Sequence, residues 1–252
     1  MTVSDYDVLA PVYDDLGAGG VHERWLAGIE RLAREHGLRG RRLLDVACGT
    51  GSSFLALLAR GYEVTACDGS PAMAACARAK AGPAARVLVA DMRRLPELGA
   101  FDLVTCLDDG LNHLTEPSDV LAAFRGMRRN LASGGLIAFD VALESAYAEA
   151  ADAVVETGGH VVARRGAAAR LARPGASVEL VVDVFSHRGD GAWDRRQLRR
   201  RHRHYPIGRI AGLLESAGLR LVAARGQQRG GELTEPLDED RDRKAFLLAT
   251  HV

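Results

Sequence analysis

LLDVACGTG, residues 43 to 51, decides how this 252-residue chain is read. Leu43, Leu44 and Val46 form the apolar run of a buried parallel strand, and Gly49 and Gly51 let the backbone turn sharply and approach a ligand closely. Ser52 stands where an N-cap would open the helical run Phe54–Arg60, which Gly61 closes. Asp45 falls at the carboxyl end of the strand, where open α/β sheets hold their ligands. A fold of alternating strands and helices with a nucleotide-like ligand at this turn is the first expectation.

The dinucleotide fingerprint requires a third glycine three residues after the second, so that strand and helix can close around a pyrophosphate. Here that position is Phe54. Asp45 also precedes the turn, and a carboxylate repels phosphate while attracting an ammonium group. Both departures favour a cationic, adenosine-bearing ligand, and S-adenosylmethionine has those properties with no phosphate. Downstream, Tyr62–Cys67 reads as a second strand ending in Asp68. That acid lies about 20 residues past the turn, where a carboxylate meets ribose hydroxyls. Arg86–Ala90 is a third strand ending in Asp91, and Phe101–Leu107 a fourth, ending in Asp108 and Asp109. Aspartate is common in turns, but acids at the ends of consecutive strands line one crevice.

With these residues in view, the chain resembles the class I S-adenosylmethionine-dependent methyltransferases. The matching stretches are LLDVACGTG, VTACDGSPAM (64–73), VADMRRL (89–95), FDLVTCLDDGLNHL (101–114) and LIAFDV (136–141), the last after a Ser-Gly-Gly turn. Within the class, the first and fourth look most like the small-molecule branch, which includes glycine N-methyltransferase and sugar-amine and antibiotic methyltransferases. The resemblance implies S-adenosylmethionine as cofactor. It implies that Asp45, the Gly49–Gly51 backbone and the Ala47 carbonyl hold the methionine end, with Leu107 backbone near the ammonium. Asp68, with Gly69 beside it, would take the ribose. Met73 would pack on the adenine, Asp91 would accept from its amino group, and the Met92 N–H would bond a ring nitrogen. The motif Tyr6-Asp7-x-x-Ala10-x-x-Tyr13-Asp14 matches an N-terminal segment that folds over the cofactor in related enzymes, so Tyr13 is a capping candidate as well as a catalytic one.

The implied fold is α/β, a Rossmann-like, seven-stranded, mostly parallel sheet with N-terminal helices and a β-rich insertion after the fifth strand. Residues 1–39 read as a helical cap, with helix over 5–16 and 20–37. Residues 40–142 and 206–252 read as the cofactor-binding domain, with helices over Ser118–Leu131 and Pro206–Ala217. Residues 143–205 form the insertion on the substrate side, with strands over Val154–Arg164, Ser177–His187 and Trp193–His204. The polar stretch GGELTEPLDEDRDR reads as an exposed hairpin loop.

Lys+Arg and Asp+Glu both number 33, so no polyanionic partner follows from overall charge. No apolar run approaches a membrane span and the N-terminus lacks a signal-peptide pattern, so a cytoplasmic protein is expected, as monomer or homodimer. The four cysteines show no metal-ligand spacing, and no metal is expected. One local feature opposes the small-molecule reading: Arg195, Arg196, Arg199, Arg200, Arg201 and Arg203, with His202, His204 and nearby Trp193, form a basic run. Such a run can track a nucleic-acid backbone. A strand, however, sends alternate residues to opposite faces, and the acids Glu232, Glu235, Asp238, Glu239, Asp240 and Asp242 offer neutralisation. Nucleic acid is therefore disfavoured, and one or two of the arginines binding an anionic small substrate is at least as good a reading.

His113 is the candidate general base for an amine or hydroxyl nucleophile, and Asp108 a candidate to position it. The expected activity is methyl transfer to an N or O atom of a small molecule, in specialised metabolism such as antibiotic biosynthesis. The alternatives are an RNA or protein methyltransferase using the Arg195–Arg203 strand, and a cyclase or cofactor-binding regulator on the same fold.

Overall fold

The strand that carries LLDVACGTG lies near the middle of an eight-stranded sheet. The structure, a computed structural model, describes residues 3–16, 21–149, 152–165, 174–228 and 232–252. In chain order the elements are α1 (Tyr13–Leu16), α2 (Val21–Glu35), β1 (Arg42–Val46), α3 (Ser52–Ala59), β2 (Glu63–Asp68), α4 (Pro71–Ala81), β3 (Ala85–Val89), β4 (Phe101–Cys106), α5 (Pro117–Arg129), β5 (Leu131–Ala142) and α6 (Glu144–Glu149). They continue with β6 (Ala153–Thr157), β7 (His160–Arg165), β8 (Ser177–His187), β9 (Trp193–Arg203), α7 (Ile207–Ser216), β10 (Leu219–Gln227), β11 (Leu233–Thr234) and β12 (Lys244–His251). The main sheet runs β11-β10-β12-β5-β4-β1-β2-β3. From β5 to β3 all pairs are parallel, and β12 is antiparallel to β5. Chain order reverses between β1 and β4, which opens a crevice at their carboxyl ends.

Both faces of this sheet are covered, which is why its strands read as continuous apolar runs. On one side Leu26 and Ile29 of α2 and Phe54 and Leu57 of α3 pack on Leu43, Leu103 and Phe246; on the other, Phe124 and Met127 of α5 and Leu213 of α7 pack on Val104, Phe139 and Leu247. Most of these side chains are fully buried, each contributing about 1.5–3 kcal/mol.

Several sequence expectations are corrected. The sheet has eight strands rather than seven, because two residues of the expected loop pair as β11 with β10. Asp242, 1% exposed, holds that loop in: it accepts from the Thr234 hydroxyl at 3.1 Å and the Asp238 N–H at 2.8 Å. Ser52 is not the N-cap. Gly51 takes that place at φ +97° with no side-chain acceptor, whereas Ser70 does cap α4, accepting from the Met73 N–H at 3.1 Å. Ser133-Gly134-Gly135 is not a turn ahead of the fifth strand but an irregularity inside β5, where the pairing jumps from Phe101↔Leu131 to Leu103↔Leu136. Ahead of α1, residues Val3–Val8 and Ala10–Val12 are 3₁₀ turns.

The insertion forms its own antiparallel sheet, β6-β7-β8-β9. Gly158 and Gly159, at φ +53° and +82°, make the two-residue hairpin joining β6 to β7. One face of this sheet, carrying Val162, Val182, Val184 and Leu198, packs against Leu9, Val12 and Met73. The insertion is thereby held over the crevice.

Candidate active site

At the end of β1 the backbone passes through positive φ at Ala47 (+58°), Gly49 (+55°) and Gly51 (+97°). A Cβ on Gly51 would lie 2.9 Å from the Phe54 ring. The bulky side chain at the missing third-glycine position therefore packs back on the second glycine. The turn borders a cavity of about 810 Å³, within the range of small-molecule sites. Of the residues singled out above, Tyr13, Asp45, Ala47, Gly49, Asp68, Gly69, Met73, Asp91, Met92, Leu107, Asp108 and His113 all line this one cavity; Gly51 does not, and shapes the turn from behind.

Asp45 is 1% exposed. Its Oδ1 accepts from the Thr105 hydroxyl at 2.6 Å, while its buried Oδ2 has no partner. Burial, reinforced by the charges of Asp68 and Asp108, pushes its carboxyl up to about 7. A buried acceptor oxygen without a donor costs free energy, and a ligand ammonium would satisfy it and return the group to its ionised form. The residues present thus fit the methionine end of S-adenosylmethionine.

Asp68 organises the loop around that end. Its two oxygens accept from the Gly49 and Ser70 N–H groups, both at 2.8 Å. Burial raises its carboxyl and these donors pull it part of the way back. Asp91 caps the 3₁₀ turn Met92–Arg94 and accepts from Arg93 Nε at 3.0 Å and Nη2 at 2.6 Å. That guanidinium holds Asp91 below the usual carboxylate range. Any adenine amino group there would share an acceptor already paired with arginine.

The N-terminal motif closes the cavity from above, and its spacing has a physical reason. Asp7 accepts from the Ser70 hydroxyl and from the Ala72 N–H at 3.1 Å; Asp14 accepts from the Thr50 hydroxyl at 2.5 Å and pairs with Lys80. Both aspartates thus tie the segment to the loops after β1 and β2, and the tyrosine before each lines the cavity. Tyr6, quoted in the motif but not singled out, bonds His113: its hydroxyl lies 2.8 Å from Nε2.

The surroundings of His113, the candidate base, bear on that role. Arg200 Nη2 donates to the same Nε2 at 3.4 Å. Arginine only donates, so Nε2 is an acceptor and the ring proton sits on Nδ1, which is buried without a partner. Burial, then the neighbouring His202 ring at 4.1 Å and the Arg200 charge, hold the imidazole well below its ordinary pKa. Its one lone pair is occupied and weakly basic, so His113 is suited to shaping the cavity rather than taking a proton.

Asp108 is half-exposed at φ +62° and 3.1 Å from Lys244 Nζ. Lys244 also meets Asp109 at 3.1 Å and fully buried Asp140 at 2.9 Å. Burial opposes the ammonium charge, but the three carboxylates hold Lys244 well above its ordinary pKa. Neither Lys244 nor Asp140 was singled out from sequence; β12 and β5 bring them together across the sheet.

The basic run divides by face. Arg195 pairs with Asp183 at 2.8 Å, and Arg199 and Arg201 pair with Glu179 at 2.9 and 3.4 Å. The neutralising acids therefore come from adjacent β8, not from the C-terminal loop, whose Glu235 and Asp238 pair with Arg225 and Arg241. Arg200 and His202 point the other way, Arg200 into the cavity.

A methyltransferase domain family matches residues 43–135. A protein of Geobacillus sp. (strain WCH70) described as a methyltransferase is 29% identical over 97% of this chain and 98% of its own length. The chain spans about half the length of other curated relatives, among them a dTDP-3-amino-3,6-dideoxy-alpha-D-glucopyranose N,N-dimethyltransferase of Streptomyces fradiae, 30% identical over 51% of each chain. An S-adenosylmethionine-dependent methyltransferase of Clostridium acetobutylicum superposes with a TM-score of 0.78 at 21% identity, over 98% of both chains, and shows the same fold. Among the described residues no helix is long and apolar enough to cross a membrane. Sheet order, loop and the domain match over residues 43–135 agree: together they support a class I S-adenosylmethionine-dependent methyltransferase with S-adenosylmethionine as its cofactor.

Proposed function

We propose that the protein transfers a methyl group to an N or O atom of a small molecule, and that this chemistry serves specialised metabolism. The observation that carries the reading is the set of walls the cavity has. Tyr6 and Tyr13 lie over it from the N-terminal segment, Val155, Val162 and Val182 border it from the insertion, and Asp45 and Asp68 form the cofactor end. When bound, S-adenosylmethionine supplies an electrophilic methyl group on a sulfonium. The chain supplies proximity and dryness, aligning the nucleophile and excluding water. With the His113 lone pair taken up by Tyr6 and Arg200, the acceptor best suited is an amine that arrives neutral or an oxygen acid enough to shed its proton unaided. Asp108 borders the cavity with Lys244 as its counter-ion, and it would position such a group by hydrogen bonding. The sugar N-methyltransferase similarity supports an amine.

The RNA or protein alternative leans on the arginine strand, but Arg195, Arg199 and Arg201 are already paired within the insertion. The test incubates the protein with methyl-labelled S-adenosylmethionine and separate pools of amino sugars, amino acids, phenols, bulk RNA and protein. Label is expected in a small amine or hydroxyl compound and in neither polymer. Label confined to a polymer would sink the proposal. Binding of S-adenosylhomocysteine with no transfer to any pool would favour the regulator or cyclase reading.

A further inference from the structure

The alternation of β9 places Leu198, Arg200 and His202 on the face turned to the cavity, opposite the self-paired arginines. Every other lysine or arginine bordering the cavity is engaged. Arg93 meets Asp91, Lys80 meets Asp14, and Arg164 has an interaction of its own. Arg200 has no carboxylate partner among the described residues. Its hydrogen bonds there run from Nη2 to Nε2 of His113 (3.4 Å) and of His202 (3.2 Å), and its guanidinium carbon lies 5.0 Å from the centre of the Tyr6 ring. Its Nε is buried without an acceptor, and so is Nδ1 of His113, which the tautomer argument makes an N–H. The group is held by two histidines and an aromatic face, none of which neutralises it.

A cation drawn away from water without a counter-ion is costly, and the unmet groups at this end are all donors. Of the acids bordering the cavity, Asp45 and Asp68 belong to the cofactor turns, while Asp14, Asp91 and Asp108 are paired with Lys80, Arg93 and Lys244. We infer that the acceptor carries an oxyanion, a carboxylate or a phosphate ester, which Arg200 binds in the insertion half of the cavity. With Nη2 given to the two imidazoles, Nη1 and Nε keep the N–H donors and the charge that such a group would take. Tyr6 and the two imidazoles fix the guanidinium, so little side-chain freedom is lost on binding. The methyl-accepting atom then lies on the same small molecule as the anion. The inference rests on the small-molecule reading above and narrows it to acidic acceptors or phosphorylated ones.

The experiment saturates the protein with S-adenosylhomocysteine and titrates sodium acetate or inorganic phosphate against sodium chloride at constant ionic strength, following the thermal midpoint and calorimetric heat. At least one oxyanion is expected to bind saturably to the wild type, acetate marking a carboxylate acceptor and phosphate a phosphorylated one. Arg200→Met is expected to weaken that binding by about tenfold or more, and Arg200→Lys by less, since it keeps the charge and loses the fork. Arg199→Met, on the outer face, keeps wild-type binding. Affinity for S-adenosylhomocysteine stays within about threefold in all variants, since Arg200 contacts His113, His202 and Tyr6 and none of the acids assigned to the cofactor. No saturable response to either anion, or a response unchanged in both Arg200 variants, overturns the inference. So does equal loss in Arg199→Met, which marks an adventitious ion only. Failure of the wild type to bind S-adenosylhomocysteine is a separate result and strikes the methyl-donor reading instead.

Discussion

Replacing Asp45 by asparagine should make the ligand-free protein more stable at alkaline pH while destroying its grip on the cofactor. Burial pushes this carboxyl from 3.8 up to about 7. At about 1.4 kcal/mol for each tenfold preference, the native state disfavours the ionised form by about 4 kcal/mol. The sign follows from linkage: an acid with a raised native pKa contributes its full stability below about pH 4, and loses it as pH climbs through about 7. At pH 8 the wild type carries the whole penalty. The asparagine side chain stays neutral, and its carbonyl can still accept from Thr105, which donates to Oδ1 of Asp45 at 2.6 Å. The amide nitrogen would replace the unpartnered Oδ2 and itself lack an acceptor, which costs about 1–3 kcal/mol. The net gain at pH 8 is therefore about 1–3 kcal/mol, and it disappears by pH 5. Urea unfolding without cofactor, at both pH values, measures it. Calorimetry with S-adenosylhomocysteine should show a loss of about thirtyfold or more, the effect of removing one partner of a buried charge pair. A variant less stable than wild type at pH 8, or one that binds the ligand as well as wild type, would refute the electrostatic account of this site.

Two further perturbations test the frame around the cavity. Lys244→Met leaves Asp108, Asp109 and Asp140 facing one another without their common cation, and should lower urea stability by about 3–5 kcal/mol at pH 8 and by less at pH 5.5, where protonation relieves the repulsion; a loss below about 1 kcal/mol at pH 8 would contradict it. Asn112 is fully buried, donates to Tyr147 at 3.1 Å and the Arg203 carbonyl at 2.8 Å, and accepts from the Ala142 N–H at 2.9 Å. Asn112→Ala should cost about 2–4 kcal/mol and speed amide exchange in β9 before that in β1 or β4; uniform acceleration would show that Asn112 does not join insertion to core.

The cofactor half of the cavity was legible because a parallel sheet makes it so. Strands β1 to β4 all end at one edge, so Asp45, Asp68, Asp91 and Asp108 meet there although scattered in sequence. The acceptor half was not. Period-two alternation divides the arginines of β9 into two faces but does not say which face turns inward; that is fixed by Leu198 packing on Val162, Val182 and Leu9. His113 reads locally as a base after a strand, yet its tautomer is set by Tyr6 and Arg200, 107 and 87 residues away. Lys244 stands before an apolar run with no local mark of function. Its meaning comes from the antiparallel pairing of β12 with β5, which puts it beside Asp140. Backbone strain is equally hidden: Ala47, Asp108 and Asp109 hold positive φ in residues that seldom take it.

The cavity therefore holds two features that folding alone would disfavour. Asp45 is a buried acid with a bare oxygen, and Arg200 is a part-buried cation with no carboxylate partner among the described residues. Had they served stability, the fold would have paired them, since a satisfied pair is far less costly than two isolated charges. Asp68 and Asp108 raise the cost of ionising Asp45, and the imidazoles of His113 and His202 accept hydrogen bonds from Arg200 without neutralising it. Residues that lower stability in this way persist where a ligand completes them. A cationic cofactor and an anionic acceptor would each relieve one end, so each would raise the unfolding midpoint on its own, and the two increments should add. A midpoint raised by the cofactor but lowered by every oxyanion would mean that the field of the acids dominates the whole cavity, and that the two ends are not electrically separate.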